Sequence, residues 1–419
     1  MSQWLEQVIA QAERQGAPVS WREADYASSL DALKNTPWPT RKTEAWRNTS
    51  LTPIEAKKLL SDGVSTASTQ IPVIAQLDSI DIEFVNSTLV TDLAQFNLPA
   101  GVDIVALENI SEQQASSFNT IKPEKHLFGL VNDALATAGV WVNVADDVEF
   151  HTPIRFIHHV QDGSENHTRI LVNIGRNAKA TIIEQGEGHV DSVNTSFSEY
   201  DVKAKGELHH YRFAMFTDKT LHAGGCHFKL AESSYLNSTL VGFGSALSRL
   251  DTDLIYTGEH ANADINALYL LAEGENFDLQ TTIEHAVPNC TTTENVRGIV
   301  GDKAKANFNG RIHIHRDAQK TLAELNNRNL LLSRRGQINT KPELEIYADD
   351  VKCAHGATIA EIDEQALYYL LSRGISRSQA LILLNFGFIQ ELINDIPLTP
   401  VREWLTELLS GRFAKMEVK

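Results

Sequence analysis

The feature that most constrains the fold is a repeat of about 28 residues in the middle of the chain. Five octamers align, and their first residues lie 28, 28, 27 and 43 positions apart. The octamers are GRNAKATI from Gly175, KAKGELHH from Lys203, AESSYLNS from Ala231, GEHANADI from Gly258 and GDKAKANF from Gly301. Their fourth residue is always small and their sixth is always apolar. Since residues two apart share one face of a strand, the repeat predicts stacked coils that bury their inner faces against their neighbours.

The length of the repeat leaves two architectures open. A coil of 28 residues has room for two or three short strands joined by turns. However, the last step of 43 residues breaks the period, and a β-sandwich with regularly spaced turns produces a similar pattern. The repeat therefore favours a β-solenoid, with a β-sandwich as the alternative.

The hydrophobic period changes twice and divides the chain into three parts. Residues 1–70 read as helix and loop, with Trp4 and Val8 at helical spacing. Residues 71–361 contain short alternating runs of Val, Ile, Thr and Phe, which are typical of strands. Residues 362–419 return to a helical period. We therefore predict a mainly β protein, with a β-helix core between N-terminal and C-terminal helical regions.

The C-terminal part contains a strongly apolar helix. Ser376 and Gln379 form a predicted capping box at its start, and the following segment ALILLNFGFIQELI is apolar on nearly every side. Another helix starts near Pro400, because proline is favoured in a first helical turn. Two interpretations stay open: these helices bury a small core of their own, or part of their apolar surface docks a second protein.

Composition and charge argue against several classes of function. The 419-residue chain has a formal net charge of −17, which repels phosphate backbones, so we expect no nucleic-acid partner. No apolar run reaches the roughly 20 residues that cross a bilayer, and we see no secretory signal. The cysteines Cys226, Cys290 and Cys353 are odd in number and widely spaced, which argues against a disulfide framework. We therefore expect a cytoplasmic protein without a membrane role.

One short segment brings metal-binding residue types together. In DDVKCAHGAT, which starts at Asp349, Cys353 stands two places before His355. In an extended chain both side chains project from the same face, about 7 Å apart. A thiolate and an imidazole can then reach one metal ion or cluster. Lys352 is a positive charge that favours the thiolate, and Gly356 allows the chain to turn directly afterwards.

These two ligands do not complete a metal site. A zinc ion or an iron–sulfur cluster requires about four ligands, and neither Cys226 nor Cys290 lies at ligand spacing. A buried and inert Cys353 is the simpler alternative. The sequence also has no Walker loop, no dinucleotide-binding glycine motif, no zinc-protease motif and no nucleophile elbow.

Four segments carry a family resemblance. They are PTRKTEAWRNTSL from Pro39, NNRNLLLS from Asn326, KPELEIYADDVKCAHGATI from Lys341, and DEQALYYLLSRGI from Asp363. They resemble the SufB/SufD family of the SUF iron–sulfur cluster assembly system, in its SufD form. The block 341–375 is specific, and the resemblance covers nearly the whole chain. SufB is the rival assignment, but SufB proteins are usually longer and carry cysteine motifs that this sequence lacks.

The resemblance implies a right-handed parallel β-helix and a non-catalytic scaffold subunit of a SufB–SufC–SufD complex. The chain would pair with SufB through the β-helix and dock the SufC ATPase through residues 362–419. His355, with Cys353 as a neighbouring ligand, would hold a transient iron–sulfur cluster shared with SufB, so that the missing ligands come from another chain. No cofactor would be tightly bound to the isolated chain. Because an exposed sheet edge tends to pair, we expect a homodimer when SufB is absent.

Another class of function is a β-helical carbohydrate-active enzyme, since stacked β-coils also serve as polysaccharide lyases and hydrolases. Such enzymes need paired carboxylates that line a groove. Asp349 and Asp350 are adjacent, so on a strand they would face opposite ways. This argues against the enzyme.

A third class is a self-contained metal protein. The segment GRIHIHRD places His313 and His315 on one strand face, and these residues could join Cys353 and His355 around one ion. A solvated strand face explains the histidine pair more simply. We do not recognise GRIHIH as a pattern of the SufD form and leave the pair out of the predicted site.

Overall fold

The computed structural model describes residues 2–58, 73–123 and 126–416, and these residues form 19 strands and eight α-helices. The helices are α1 (Gln3–Gln15), α2 (Glu23–Asn35), α3 (Thr52–Glu55), α4 (Glu112–Ala115), α5 (Leu127–Leu135), α6 (Glu364–Ser372), α7 (Arg377–Asn394) and α8 (Thr399–Lys415). The first six strands are β1 (Ile80–Val85), β2 (Thr88–Leu89), β3 (Val102–Ala106), β4 (Ala138–Val144), β5 (Ile154–His159) and β6 (Glu165–Ile174). The next seven are β7 (Lys179–Gly188), β8 (Val193–Val202), β9 (Glu207–Phe216), β10 (Leu221–Leu230), β11 (Tyr235–Gly242), β12 (Leu247–Tyr256) and β13 (Asn262–Leu271). The last six are β14 (Asn276–His285), β15 (Thr291–Val300), β16 (Lys305–Ile314), β17 (Leu322–Leu331), β18 (Gln337–Ile346) and β19 (Lys352–Glu361).

The strands form two sheets that the chain visits alternately. Sheet A has the order β2-β1-β5-β7-β9-β11-β13-β15-β17-β19, and sheet B has the order β3-β4-β6-β8-β10-β12-β14-β16-β18. From β4 and β5 onward all neighbours are parallel. Each coil therefore contributes one strand to each sheet, and β9 begins 28 residues after β7. The parallel β-solenoid is confirmed, and the β-sandwich is excluded because its sheets are antiparallel.

The octamers mark the corners of the coils. The first four octamers lead into β7, β9, β11 and β13 of sheet A, whereas the fifth leads into β16 of sheet B. The step of 43 residues is thus about one and a half coils. The small fourth residues are buried at the corners: Ala178, Gly206, Ser234, Ala261 and Ala304. The apolar sixth residues lie buried between the sheets: Ala180, Leu208, Leu236, Ala263 and Ala306.

Helices cover part of the outer face of each sheet. Helices α1, α2 and α5 share an apolar cluster with the outer face of sheet B, which includes Phe197 and Leu221. Helices α6 to α8 share another with the outer face of sheet A, which includes Phe213 and Leu268. The predicted strand region thus also contains two α-helices, α4 and α5, which the sequence analysis missed. The boundary predicted between residues 70 and 71 lies outside the described residues.

The C-terminal helices bury their apolar side against sheet A rather than only against one another. On α7, Ile389 and Ile393 are buried in this contact. The predicted capping box is confirmed, because the Gln379 backbone N–H donates to Ser376 Oγ at 3.3 Å and the Ser376 N–H donates to Gln379 Oε1 at 3.4 Å. Within the described ranges no helix is both long and apolar enough to cross a membrane.

The two ends of the solenoid differ. At the N-terminal end, antiparallel pairs of β1 with β2 and of β3 with β4 finish the sheets. The end strands of each sheet pair on one side only. At the N-terminal end these strands, β2 and β3, have two and five residues, whereas at the C-terminal end β18 and β19 have ten residues each. The backbone groups on their other side are unpaired within the sheets, so this end can accept further strands.

Candidate metal centre

Cys353 and His355 lie on β19, the last strand of sheet A. Cys353 pairs in register with Ala323 and His355 with Leu325. Ala323 and Leu325 belong to the core between the sheets, so Cys353 and His355 face the inside of the last coil. Among the described residues no further coil covers them, and His355 is exposed while Cys353 is half-buried. The extended segment that places both side chains on one face is confirmed.

Two details of this segment differ from the predictions. Gly356 does not start a turn, because β19 continues its ladder with β17 as far as Glu361. Lys352 does not lower the pKa of the Cys353 thiol, because adjacent residues of a strand point to opposite faces. Burial raises the pKa of Cys353, and a hydrogen bond with the Ala323 backbone offsets part of this rise. The thiol therefore needs a metal ion or another positive partner to ionise at neutral pH.

The described residues do not complete a site around this pair. No group of three metal-ligating atoms within 4.8 Å of one another includes Cys353 or His355 in the described ranges. The other two cysteines are buried elsewhere, and all three are free. Cys226 lies in the core between the sheets, and Cys290 lies in the turn before β15. A cluster bound at β19 thus requires ligands from outside the described residues.

The adjacent aspartates do not form a catalytic pair. Asp349 and Asp350 are exposed in the turn between β18 and β19. The Asp350 backbone N–H donates to Gln319 Oε1 at 2.8 Å, which ties this turn to the turn of the preceding coil. Because they lie in a turn rather than on a strand facing a groove, these residues give no support to a carbohydrate-active enzyme.

The histidine pair lies on a different surface from Cys353. His313 and His315 point outward from sheet B, where Glu284 of β14 is their neighbour. Burial and then His315 lower the pKa of His313. The ligand set that combined these histidines with Cys353 and His355 is therefore wrong. Sequence reasoning missed Glu284, although residues about one coil apart are lateral neighbours and the 28-residue period could have found it.

The fold and this open end define the chain as a parallel β-solenoid whose last coil presents a thiol and an imidazole. A family model described as "SUF system FeS cluster assembly, SufBD core domain" matches residues 156–388. The iron-sulfur cluster assembly protein SufD of Escherichia coli (strain K12) is 30% identical over 371 residues, which cover 87% of this chain and 86% of the relative. The chain belongs to the SufB/SufD family of iron–sulfur cluster assembly proteins.

Two further relatives show how broadly the similarity extends. An iron-sulfur cluster assembly SufBD family protein of Synechocystis is 27% identical over 406 residues, which cover 92% of this chain and 89% of the relative. The iron-sulfur cluster assembly protein SufB of Bacillus subtilis is 24% identical over 305 residues, which cover 71% of this chain and 64% of the relative. The chain is thus similar to both SufD and SufB proteins, as expected for a chain that contains the SufBD core domain.

Proposed function

We propose that this protein is a non-catalytic scaffold subunit of a SUF complex, in which a SufC-type ATPase supplies the hydrolysis of ATP. It pairs with a SufB-type paralogue through the open end of its solenoid and acts in the cytoplasm. A nascent iron–sulfur cluster, which is the cargo of the complex, is held there by His355 with Cys353. The observation that carries this proposal is the pair of ligands on an uncovered last coil with unpaired strand edges.

At the C-terminal end of the solenoid, both the strand edges and the metal ligands lack partners among the described residues. The edges of β18 and β19 have backbone donors and acceptors that gain hydrogen bonds from added strands. Cys353 and His355 lack further ligands among the described residues, and a cluster needs about four. A partner that adds strands at this edge can bring the missing ligands to the same point.

The second surface of the proposal is the outer side of the C-terminal helices. Their inner side is buried against sheet A, but Tyr368, Tyr369 and Leu383 are 73%, 56% and 64% exposed. Exposed apolar side chains that form a contiguous patch are typical of protein interaction sites. We propose that the ATPase docks on this surface, within residues 362–419.

Co-expression with SufB and SufC, followed by purification through SufB, tests both surfaces. We expect all three proteins to co-purify and a cluster to assemble on the complex under anaerobic conditions. His355→Ala should preserve the complex but reduce cluster assembly at least about tenfold, because it removes a ligand. The control His260→Ala removes a histidine from an exposed turn and should leave both unchanged.

The docking surface has its own pair of variants. Leu383→Glu should release the ATPase while SufB stays bound, because it places a charge in an apolar contact. Val90→Glu changes a similarly exposed residue (52%) at the other end of the solenoid and should retain all partners. A complex that never forms, or a His355→Ala complex with normal cluster assembly, would contradict the proposed function.

A further inference from the structure

The scaffold function makes no use of the histidine pair on the outer face of sheet B. We propose that Glu284, His313 and His315 form a binding site for a divalent first-row transition-metal ion, separate from Cys353 and His355. This inference goes beyond the proposed function and does not depend on it.

Neighbouring strands fix the three side chains. His313 on β16 pairs in register with Glu284 on β14. His313 points outward, because Ile312 and Ile314 on either side of it are fully buried. His315 follows two residues later on the same side, and the two imidazole centroids are 4.4 Å apart. The ligand atoms of the three residues lie within 4.8 Å of one another.

The contacts within this cluster are too long for hydrogen bonds. His315 Nε2 lies 3.6 Å from Glu284 Oε2, and His313 Nδ1 lies 4.0 Å from Glu284 Oε1. Neither nitrogen has a hydrogen-bond partner among the described residues. Ligands about 2.0–2.1 Å from a tetrahedral ion are roughly 3.3 Å apart. An ion between these atoms, which lie within 4.8 Å of one another, therefore requires their separations to shorten by up to about 1.5 Å.

The carboxylate of Glu284 is available for an ion although an arginine lies nearby. Arg311 donates two hydrogen bonds to Glu345, from Nε at 2.8 Å and from Nη2 at 2.7 Å. Its distance to Glu284 is 3.9 Å, which is beyond hydrogen-bond length. Since Glu345 already compensates the charge of Arg311, Glu284 keeps a negative charge that a cation can neutralise.

Two other clusters of ligand types differ from this one. In the first, the Asp253 carboxylate lies 2.7 Å from an imidazole nitrogen of His126 and 3.0 Å from one of His227, which satisfies it. In the second, Glu184 is fully buried and is bonded to Arg212, whose fixed positive charge opposes a bound cation. In the cluster around Glu284 no imidazole lies within hydrogen-bond distance of the carboxylate, and the nearby Arg311 donates its hydrogen bonds to Glu345. Its side chains are 20% to 41% exposed, so an ion can reach it from solvent.

The ligand types indicate the class of ion. Two imidazoles and one carboxylate suit Zn²⁺, Fe²⁺ and similar ions, whereas Mg²⁺ prefers oxygen ligands. Three protein ligands leave at least one coordination position for water. A partly exposed site of this kind fits an ion that exchanges with solvent, in agreement with the expectation that the isolated chain holds no tightly bound cofactor.

Calorimetric titration of the full-length chain, purified with an affinity tag that contains no histidine, tests the proposal. We expect one saturable site per chain for Zn²⁺, weaker binding of Fe²⁺ under anaerobic conditions, and no binding of Mg²⁺. Glu284→Gln and His313→Gln should each weaken Zn²⁺ binding by about tenfold or more. Because these side chains point outward, thermal melts should show that both variants stay folded.

Two controls separate this site from other histidines. His260→Gln alters an exposed histidine whose Nε2 lies 3.9 Å from a Glu259 oxygen; this pair has a similar spacing but no second imidazole. The double variant Cys353→Ser, His355→Ala removes the proposed cluster ligands. Both should bind Zn²⁺ like the unaltered chain. The proposal is overturned if the unaltered chain has no saturable site, if Glu284→Gln binds normally, or if the double variant loses binding. Any of these results leaves the co-purification test unaffected.

Discussion

At the residue scale, the carboxylate of Glu184, buried between the sheets, contacts several polar side chains. Glu184 Oε1 accepts hydrogen bonds from Ser198 and Tyr200 at 2.7 Å and lies 3.1 Å from His210 Nε2, while Arg212 donates to Oε2. Burial alone would raise the pKa of Glu184, but Arg212 and the hydrogen bonds hold it well below its usual range. Because both oxygens of Glu184 have hydrogen-bonding partners and Arg212 balances their charge, the carboxylate can stay ionised inside the solenoid.

A second buried carboxylate has no such partner. Glu294 lies between the sheets, and within the described part of the chain only one of its oxygens accepts a hydrogen bond, from Thr281 at 2.7 Å. Burial raises the pKa of Glu294 from 4.5 to about 7. The contrast with Glu184 shows that the pKa of a buried acid depends on the side chains that the coils place opposite it.

The raised pKa of Glu294 predicts a pH-dependent stability. Between about pH 4.5 and 7 the folded protein binds more protons at this site than the unfolded chain, so its contribution to the free energy of unfolding falls as the pH rises. Glu294→Gln removes this contribution. The variant should match the unaltered protein near pH 4.5 and exceed it at pH 8 by up to about 3 kcal/mol. Chemical unfolding at both pH values measures the difference, and an equal difference at both would contradict the assignment.

At the element scale, the coils could be predicted from the sequence because small residues recur at their corners. The small residues of the octamers are buried where the chain turns between the sheets, so their period could be read directly from the sequence. The break in the period at Gly301 is resolved once each coil is known to have two similar corners. The position of Cys353 and His355 on one face followed from strand geometry alone.

Other elements could not be predicted because their environment is formed by distant residues. The segment 39–51 has no strong local period, yet it crosses the outer face of sheet B. There Thr49 Oγ1 donates to Asp278 at 2.5 Å, and the guanidinium of Arg249 lies 4.0 Å from the Trp46 ring centroid. Glu184 was missed for a related reason, since an acid in an alternating strand resembles an outward-facing residue.

The corner positions predict a large effect for a small change in volume. Ala304 is fully buried at its corner, whereas Lys303 in the same turn is exposed. Ala304→Leu adds three carbon atoms where the coils leave no room, and it should lower the free energy of unfolding by about 1–3 kcal/mol. Lys303→Leu is the matched control and should stay within about 0.5 kcal/mol of the unaltered protein. Urea unfolding of both variants measures the effect, and equal losses would show that the corner is not tightly packed.

At the scale of the whole molecule, four layers follow one another: N-terminal helices, sheet B, sheet A and C-terminal helices. The sequence indicated helices at both ends of the chain, but it could not assign them to opposite faces. That assignment depends on outward residues such as Phe197 and Phe213, which look like core residues in any strand. Helices cover part of each outer face, and short antiparallel strands finish the N-terminal end. The ten-residue edges of β18 and β19 are therefore the long edges available for pairing with further strands.

This asymmetry predicts that the isolated chain associates through its C-terminal end. Ile359 on β19 is 49% exposed, and Val90 near the opposite end is 52% exposed. We expect a homodimer in sedimentation equilibrium, because pairing of β18 and β19 with a second copy satisfies their free backbone groups. Ile359→Lys places a charge on this edge and should weaken the dimer by about tenfold or more, since edge lysines oppose strand pairing. Val90→Lys introduces the same charge beside the short strand β2 at the N-terminal end and should leave the dimer intact. If both variants dissociate equally, net charge rather than the open edge controls association; a monomer at all concentrations would show that β18 and β19 do not pair with a second copy.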